Sequence, residues 1–188
     1  MAQSSHYFIG IPIEESLRSW LADWQNQLEK AVSYKTWTNK EDFHITLKFL
    51  GAVNEKHLEH VIELMDNLDD IDSIHTEIGG LGFFGKSDQP RVMWAGVEHT
   101  PQLLSLQNKI EEQILKLDFG KENRPYRPHI TLAKKWADPQ KKLESKDELA
   151  NSLPKPDKQM MEIHSFHLYQ IEPQNEVKYK PIFTKKLK

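Results

Sequence analysis

Cysteine is absent from the 188-residue chain, which excludes disulfides, thiolate zinc sites and a cysteine nucleophile together. The same absence suits a reducing compartment. Long apolar runs are missing too: nothing approaches the ~18 consecutive apolar residues that a membrane span needs. The first apolar run, Tyr7 to Ile13, has no basic residue before it and carries Gly10 and Pro12, the wrong flanks and content for a signal peptide. A cytoplasmic protein is expected. Nor is there a surplus of positive charge, since 25 Lys and Arg stand against 28 Asp and Glu, a formal net charge of −3. That balance disfavours a protein that coats nucleic acid non-specifically, and leaves room for a local basic groove. No Gly-x-Ser-x-Gly elbow supports serine-hydrolase chemistry. Histidine, by contrast, is plentiful, with nine copies of the side chain that titrates near neutral pH.

A chain of this length makes one domain, or two small lobes folded as a unit, with a core that needs no covalent staples. Tyr7 to Ile11 reads as a first strand ended by Pro12. Leu17, Trp20, Leu21, Trp24 and Leu28 recur at helical spacing and predict a helix over Glu14 to Lys30 with one buried face. Phe43 to Leu50 predicts a strand closed by Gly51. Asn54 is placed to cap a second helix on which Leu58, Val61, Ile62, Met65 and Leu68 share a stripe. Strands are expected at Ser73 to Phe84, Arg91 to Val97 and Ile130 to Ala133, with a third helix opening at Thr100-Pro101. Asp138 to Lys158, mixed in charge and carrying Pro154 and Pro156, reads as a solvated helix or loop. Met161 to Ile171 and Val177 to Phe183 read as a closing hairpin. The order of elements points to an α+β fold.

One tetrapeptide occurs twice: His44-Ile45-Thr46-Leu47 and, 85 residues on, His129-Ile130-Thr131-Leu132. Each copy opens a predicted strand and is followed by positive charge (Lys48; Lys134 and Lys135). Side chains alternate along a strand, so His44 and Thr46 point one way and Ile45, Leu47 and Phe49 the other. His129 and Thr131 likewise oppose Ile130 and Leu132. The apolar face packs the core, and the polar face sets an imidazole beside a hydroxyl. Two such strands facing across a cleft bring two imidazoles and two hydroxyls onto one small group. A tetrahedral anion fits that arrangement better than a planar substrate, because hydroxyls donate to its oxygens while the imidazoles supply acid and base.

Charge supports the same reading, since Lys121 to Lys135 carries a net +4 inside an acidic chain. Arg127 has the strand parity of His129 if the chain is extended through Pro128, so its guanidinium can reach the anion, and Arg91 is a further candidate phosphate contact. Tyr7, Phe8, Trp37 and Phe84 are candidates for stacking a base, with core packing as the competing fate. Gly80 to Gly85 fits G-x-G-x-x-G by letter, yet Lys86 to Pro90 is a turn where a dinucleotide site needs a helix. His57 and His60 lack a third metal ligand, and His164 and His167 fall on opposite faces of a strand. No metal and no cofactor are expected.

These residues resemble the two-histidine phosphoesterase superfamily, with its paired His-x-Thr/Ser-x motifs. More closely they resemble the bacterial and archaeal RNA 2′,3′-cyclic phosphodiesterases, also called 2′-5′ RNA ligases. His6 to Pro12 looks like the opening strand of that family and Phe43 to Gly51 like its first motif. Leu81 to Phe84 with Pro90 to Val97 looks like its central hairpin, and Arg124 to Ala133 like its second motif; Asp138 to Lys158 matches poorly. The resemblance implies one bilobal domain over residues 1–188 with pseudo-two-fold symmetry, two antiparallel sheets facing a central cleft and helices outside. It implies metal-independent hydrolysis of RNA 2′,3′-cyclic phosphate ends to 2′-phosphomonoesters, with His44 as proton donor, His129 as proton acceptor, and Thr46 and Thr131 on the phosphate oxygens. Alternatives are a 2′-5′ RNA ligase or a 2′-5′ oligonucleotide phosphodiesterase using the same site, and, from another class, a non-catalytic module that binds RNA ends. The expected partner is RNA ending in a cyclic phosphate; the expected state is a monomer without membrane attachment.

Overall fold

A computed structural model describes residues 5–143 and 145–188. Chain order is β1 (His6–Pro12), α1 (Glu15–Glu29), β2 (Tyr34–Trp37), a 3-10 turn (Lys40–Asp42), β3 (His44–Ala52), α2 (Glu55–Asp66), β4 (Ile74–Gly85), β5 (Pro90–Val97), α3 (Pro101–Leu115), β6 (His129–Trp136), α4 (Lys146–Ser152), β7 (Gln159–Ile163), β8 (Ser165–Ile171) and β9 (Tyr179–Lys186). The strands form two sheets, ordered β3-β1-β8-β9 and β2-β6-β5-β4-β7, and every pairing is antiparallel. This is the α+β, two-sheet architecture expected. Among the described residues no helix is long and apolar enough to cross a membrane.

The helices begin where local chemistry allows. Asn54 Oδ1 accepts the amide of His57 at 3.0 Å and so caps α2. Thr100 Oγ1 does the same for Leu103 at 3.3 Å, with Pro101 at the first helical position of α3. Their apolar faces join one continuous cluster that runs through both sheets, from Ile9, Ile45 and Leu47 to Met93, Ile130 and Leu132. Trp24 and Leu28 of α1 and Ile110 and Ile114 of α3 are buried in it, each such side chain contributing about 1.5–3 kcal/mol.

The internal repeat is structural as well as literal. β1-α1-β3 and β5-α3-β6 correspond in register: Gly10 pairs with Thr46 and Pro12 with His44, as Trp94 pairs with Thr131 and Gly96 with His129. Each half sends its connecting helix toward the other half's motif strand. From α3, Glu111 reaches Lys48 and Gln107 donates to the Leu47 carbonyl at 3.5 Å. From α1, Gln25 donates to the Leu132 carbonyl at 2.8 Å.

Three expectations need correction. Met161 to Ile171 is not one strand: β7 belongs to one sheet and β8 to the other, with the chain crossing at His164, so the closing hairpin is β8–β9. The four-residue β2 lies unsignalled between α1 and β3 and extends the second sheet beyond β6. Phe49 is on the outside rather than in the core, 59% exposed. A β-bulge at Leu47 causes this, because Ile9 pairs with Lys48 while Gly10 pairs with Thr46, so the face alternation slips by one residue.

Candidate active site

Both motif histidines stand at the first position of their strands, His44 on β3 and His129 on β6. Each ring folds back on the main chain two residues earlier. His44 Nδ1 donates to the Asp42 carbonyl and His129 Nδ1 to the Arg127 carbonyl, both at 2.7 Å. A carbonyl can only accept, so each neutral ring carries its proton on Nδ1 and leaves Nε2 with a free lone pair. Within the first motif, His44 Nε2 lies 3.0 Å from Thr46 Oγ1, whose hydroxyl donates to it when the ring is neutral. The same strand parity puts Thr131 on the face of His129, opposite Trp94 of β5.

Aromatic side chains wall both rings. Phe8 sits 4.6 Å from His44 by ring centroids, and Tyr179 meets it edge-on at 5.0 Å. Phe84 meets His129 edge-on at 4.9 Å, with Trp94 at 5.9 Å. Burial pushes the His44 imidazole down to about 4; the Asp42 carbonyl opposes that shift, and the charges of Lys134 and His129 add to it. Burial also lowers His129, against the Arg127 carbonyl and with help from Lys134. The two imidazoles and the Lys134 ammonium therefore share one electrostatic neighbourhood. Partial burial, followed by repulsion from Lys178, Arg91 and Lys135, holds Lys134 below the usual lysine range, while Asp42 opposes.

Main-chain anchors hold the constellation. Asp42 is buried, and its carboxylate accepts the amides of Lys178 and Tyr179 at 3.0 Å. One residue thus orients His44 through its carbonyl and fixes the start of β9, with Tyr179 against that ring, through its side chain. Tyr126 spans the motifs by donating its hydroxyl to the Thr46 carbonyl at 3.0 Å.

The charged residues in and beside the motifs take different places. Lys48 follows the first motif but turns to the buried face, where its ammonium meets Glu111 at 2.8 Å and donates to the Gly120 carbonyl at 2.7 Å; it is an internal ion pair. Lys134 reaches the site because a second bulge, at Leu132, slips the alternation of β6 as the first does that of β3. Arg127 has an exposed side chain, and its carbonyl is the group that touches His129. Arg91, also exposed, stands beside Lys134 on β5. Tyr7 and Phe8 are buried, Phe84 packs on His129, and half-buried Trp37 packs edge-on against Tyr34. Asp42, Tyr126 and Lys178 were not legible as site residues. Nearness to a motif is the only signal for Asp42 and Tyr126, and Lys178, far from both motifs in the sequence, has none; Asp42 acts on His44 through a main-chain group that any residue supplies. Among the described residues no group of three or more His, Asp or Glu is arranged to hold a metal ion.

Residues 5–187 match the family described as the AKAP7 2'5' RNA ligase-like domain. A Methanocaldococcus jannaschii protein named RNA 2',3'-cyclic phosphodiesterase is 35% identical over 144 residues, 75% of this chain and 78% of that one. A Bacillus subtilis protein of the same name is 33% identical over 70% of this chain and 72% of that one. With a third of that name, from Geobacillus stearothermophilus, the 34% match spans 70% of this chain but only 42% of the relative. A solved structure of E. coli LigT complexed with 3'-AMP shares the fold, with TM-score 0.80, 21% identity and 98% of each chain covered. A Thermus thermophilus structure also gives TM-score 0.80, at 21% identity over 97% of each chain. Two sheets with a His-x-Thr motif on each define a two-histidine phosphoesterase. Within that class the chain belongs to the 2′-5′ RNA ligase-like family.

Proposed function

We propose that the chain hydrolyses RNA 2′,3′-cyclic phosphate ends to 2′-phosphomonoesters by paired-histidine acid–base catalysis that requires no metal. The observation that carries this reading is the matched pair of Nδ1–carbonyl hydrogen bonds, which makes Nε2 the atom through which each of His44 and His129 exchanges protons. The names of the relatives support the same substrate. His129 takes a proton from the attacking water while His44 delivers one to the departing 3′-oxygen. Thr46 and Thr131 hold the non-bridging oxygens, and Lys134, with Arg91 and Arg127, balances charge developing on the phosphoryl group.

The test is turnover of an RNA ending in 2′,3′-cyclic phosphate, with product identification. A 2′-phosphate end, formed undiminished in EDTA, is expected. His44→Ala and His129→Ala should each lower kcat by ~10²–10⁴. Activity lost to the chelator and restored by a divalent cation would sink the metal-independent mechanism. A 2′-5′-joined product from a cyclic-phosphate end and a 5′-hydroxyl end would identify a ligase using the same site, and tight binding of unchanged RNA a non-catalytic module.

A further inference from the structure

A third imidazole lies on the sheet face that carries His44. One row of paired residues across that face reads Thr46 on β3, Gly10 on β1, His167 on β8 and Thr184 on β9. The corresponding row of the second half reads Thr131, Trp94 and Gly82, and a Cβ on Gly82 would overlap the Trp94 indole. The halves match in register, yet only the first sets a histidine in the row of its motif threonine. We propose that His167 binds the phosphodiester joining the terminal nucleotide to the one before it, and so makes the site specific for the end of an RNA strand over a free nucleoside cyclic phosphate. The proposal rests on the cyclic-phosphate reading of the site.

Four observations carry it. The first is the nitrogen chemistry of His167, which reverses that of the motif histidines. Their Nδ1 atoms donate to carbonyls, whereas Nδ1 of His167 lies 2.7 Å from Thr184 Oγ1, a hydroxyl that can donate to it. The neutral ring then carries its proton on Nε2 and can donate it to an anionic oxygen without being charged. That matters because burial holds this half-buried imidazole below the ordinary histidine range. The second is continuity with the site: Tyr169 lies 6.1 Å from His44 and meets His167 edge-on at 5.3 Å, by ring centroids. The third is spacing. Thr46 and His167 flank β1, which sets their main chains about 10 Å apart, and side chains leaning in from both sides bracket consecutive phosphates of one strand. The fourth is the lack of a competing acid. His75 and His164 both face Glu162, but among the described residues His167 enters no ion pair, so an anion meets no carboxylate partner there.

The experiment compares adenylyl-(3′→5′)-adenosine 2′,3′-cyclic phosphate with adenosine 2′,3′-cyclic phosphate, which has the same end and no internal phosphodiester. The parent protein is expected to prefer the dinucleotide in kcat/KM, and His167→Leu to reduce that preference about 10-fold, chiefly through KM. His167→Gln, which keeps a donor near the position of Nε2, should recover part of it. A dinucleotide with an uncharged methylphosphonate linkage should lose the preference in the parent protein and respond little to His167→Leu. No preference in the parent protein, or equal losses on both substrates from His167→Leu, would overturn the assignment. Equilibrium binding of adenylyl-(3′→5′)-adenosine 3′-phosphate and of adenosine 3′-monophosphate separates the two levels of the proposal. If the parent protein turns over neither cyclic phosphate, yet His167→Leu still weakens dinucleotide binding selectively, the reaction is wrong and the subsite stands. If turnover is robust but neither the preference nor the binding changes, the subsite is wrong and the reaction stands. A parent protein that neither turns over nor binds these nucleotides refutes both.

Discussion

At the scale of single residues, the state of the two imidazoles decides most of the behaviour. Both are held below the ordinary histidine range by burial and by Lys134, His44 down to about 4. A bound phosphodiester adds a negative charge against these groups and raises the affinity of the rings for protons. The ring that must donate a proton therefore titrates at higher pH in the complex than in the free protein. The expected result is a bell-shaped profile whose descending limb lies at higher pH for kcat than for kcat/KM. Coincident limbs would mean that bound phosphate does not set the proton on the acid. Stability responds to the same groups. Between pH 6.5 and about 4 the unfolded chain protonates His44 while the folded chain does not. Its contribution is therefore fully present above pH 6.5 and lost progressively down to about 4, on the order of 3 kcal/mol. His44→Asn keeps a donor for the Asp42 carbonyl and removes the titration. Urea denaturation should show this variant losing less stability than the parent across that pH window.

At the scale of elements, the bulged strands do what a regular strand cannot. A bulge leaves a carbonyl outside the ladder, and a buried carbonyl left alone costs ~1–3 kcal/mol. At Leu132 the amides of Gln25 and Thr38 fill that need, and at Leu47 the side chain of Gln107 does. The bulge at Leu47 also turns Lys48 inward to Glu111, with side chains 6% and 13% exposed. Lys48→Met should destabilise the protein by about 3–5 kcal/mol by stranding the carboxylate, and adding Glu111→Leu should recover most of the loss. Thermal or denaturant melts of both variants check this. The amphipathic helices and both motif strands were legible because each follows a local period. The bulges were not, because what stabilises them comes from helices distant in the chain. The division of Met161 to Ile171 was hidden for a similar reason: only the pairing partners show that β7 and β8 belong to different sheets.

At the scale of the whole molecule, the two halves are tied where the chemistry is proposed. Glu111 and Gln107 carry α3 to β3, Gln25 carries α1 to β6, and the Tyr126 hydroxyl closes the loop before the second motif onto the first. Tyr126→Phe leaves the Thr46 carbonyl without that donor and should cost about 1–2 kcal/mol. If the bond also sets the spacing between the two motifs, kcat falls by more than the change in stability explains. A variant with lower stability and unchanged kcat would limit Tyr126 to packing.

The repeated His-Ile-Thr-Leu, the helical periods and the basic stretch around the second copy are local facts, so the amino-acid order alone determined the α+β class, the two motif strands and the residue types of the site. Which charges reach that site was decided only in three dimensions. Lys48 and Lys134 look alike beside their motifs, but one bulge buries Lys48 against Glu111 and the other delivers Lys134 to the histidines, because side-chain direction past a bulge depends on pairing with another strand.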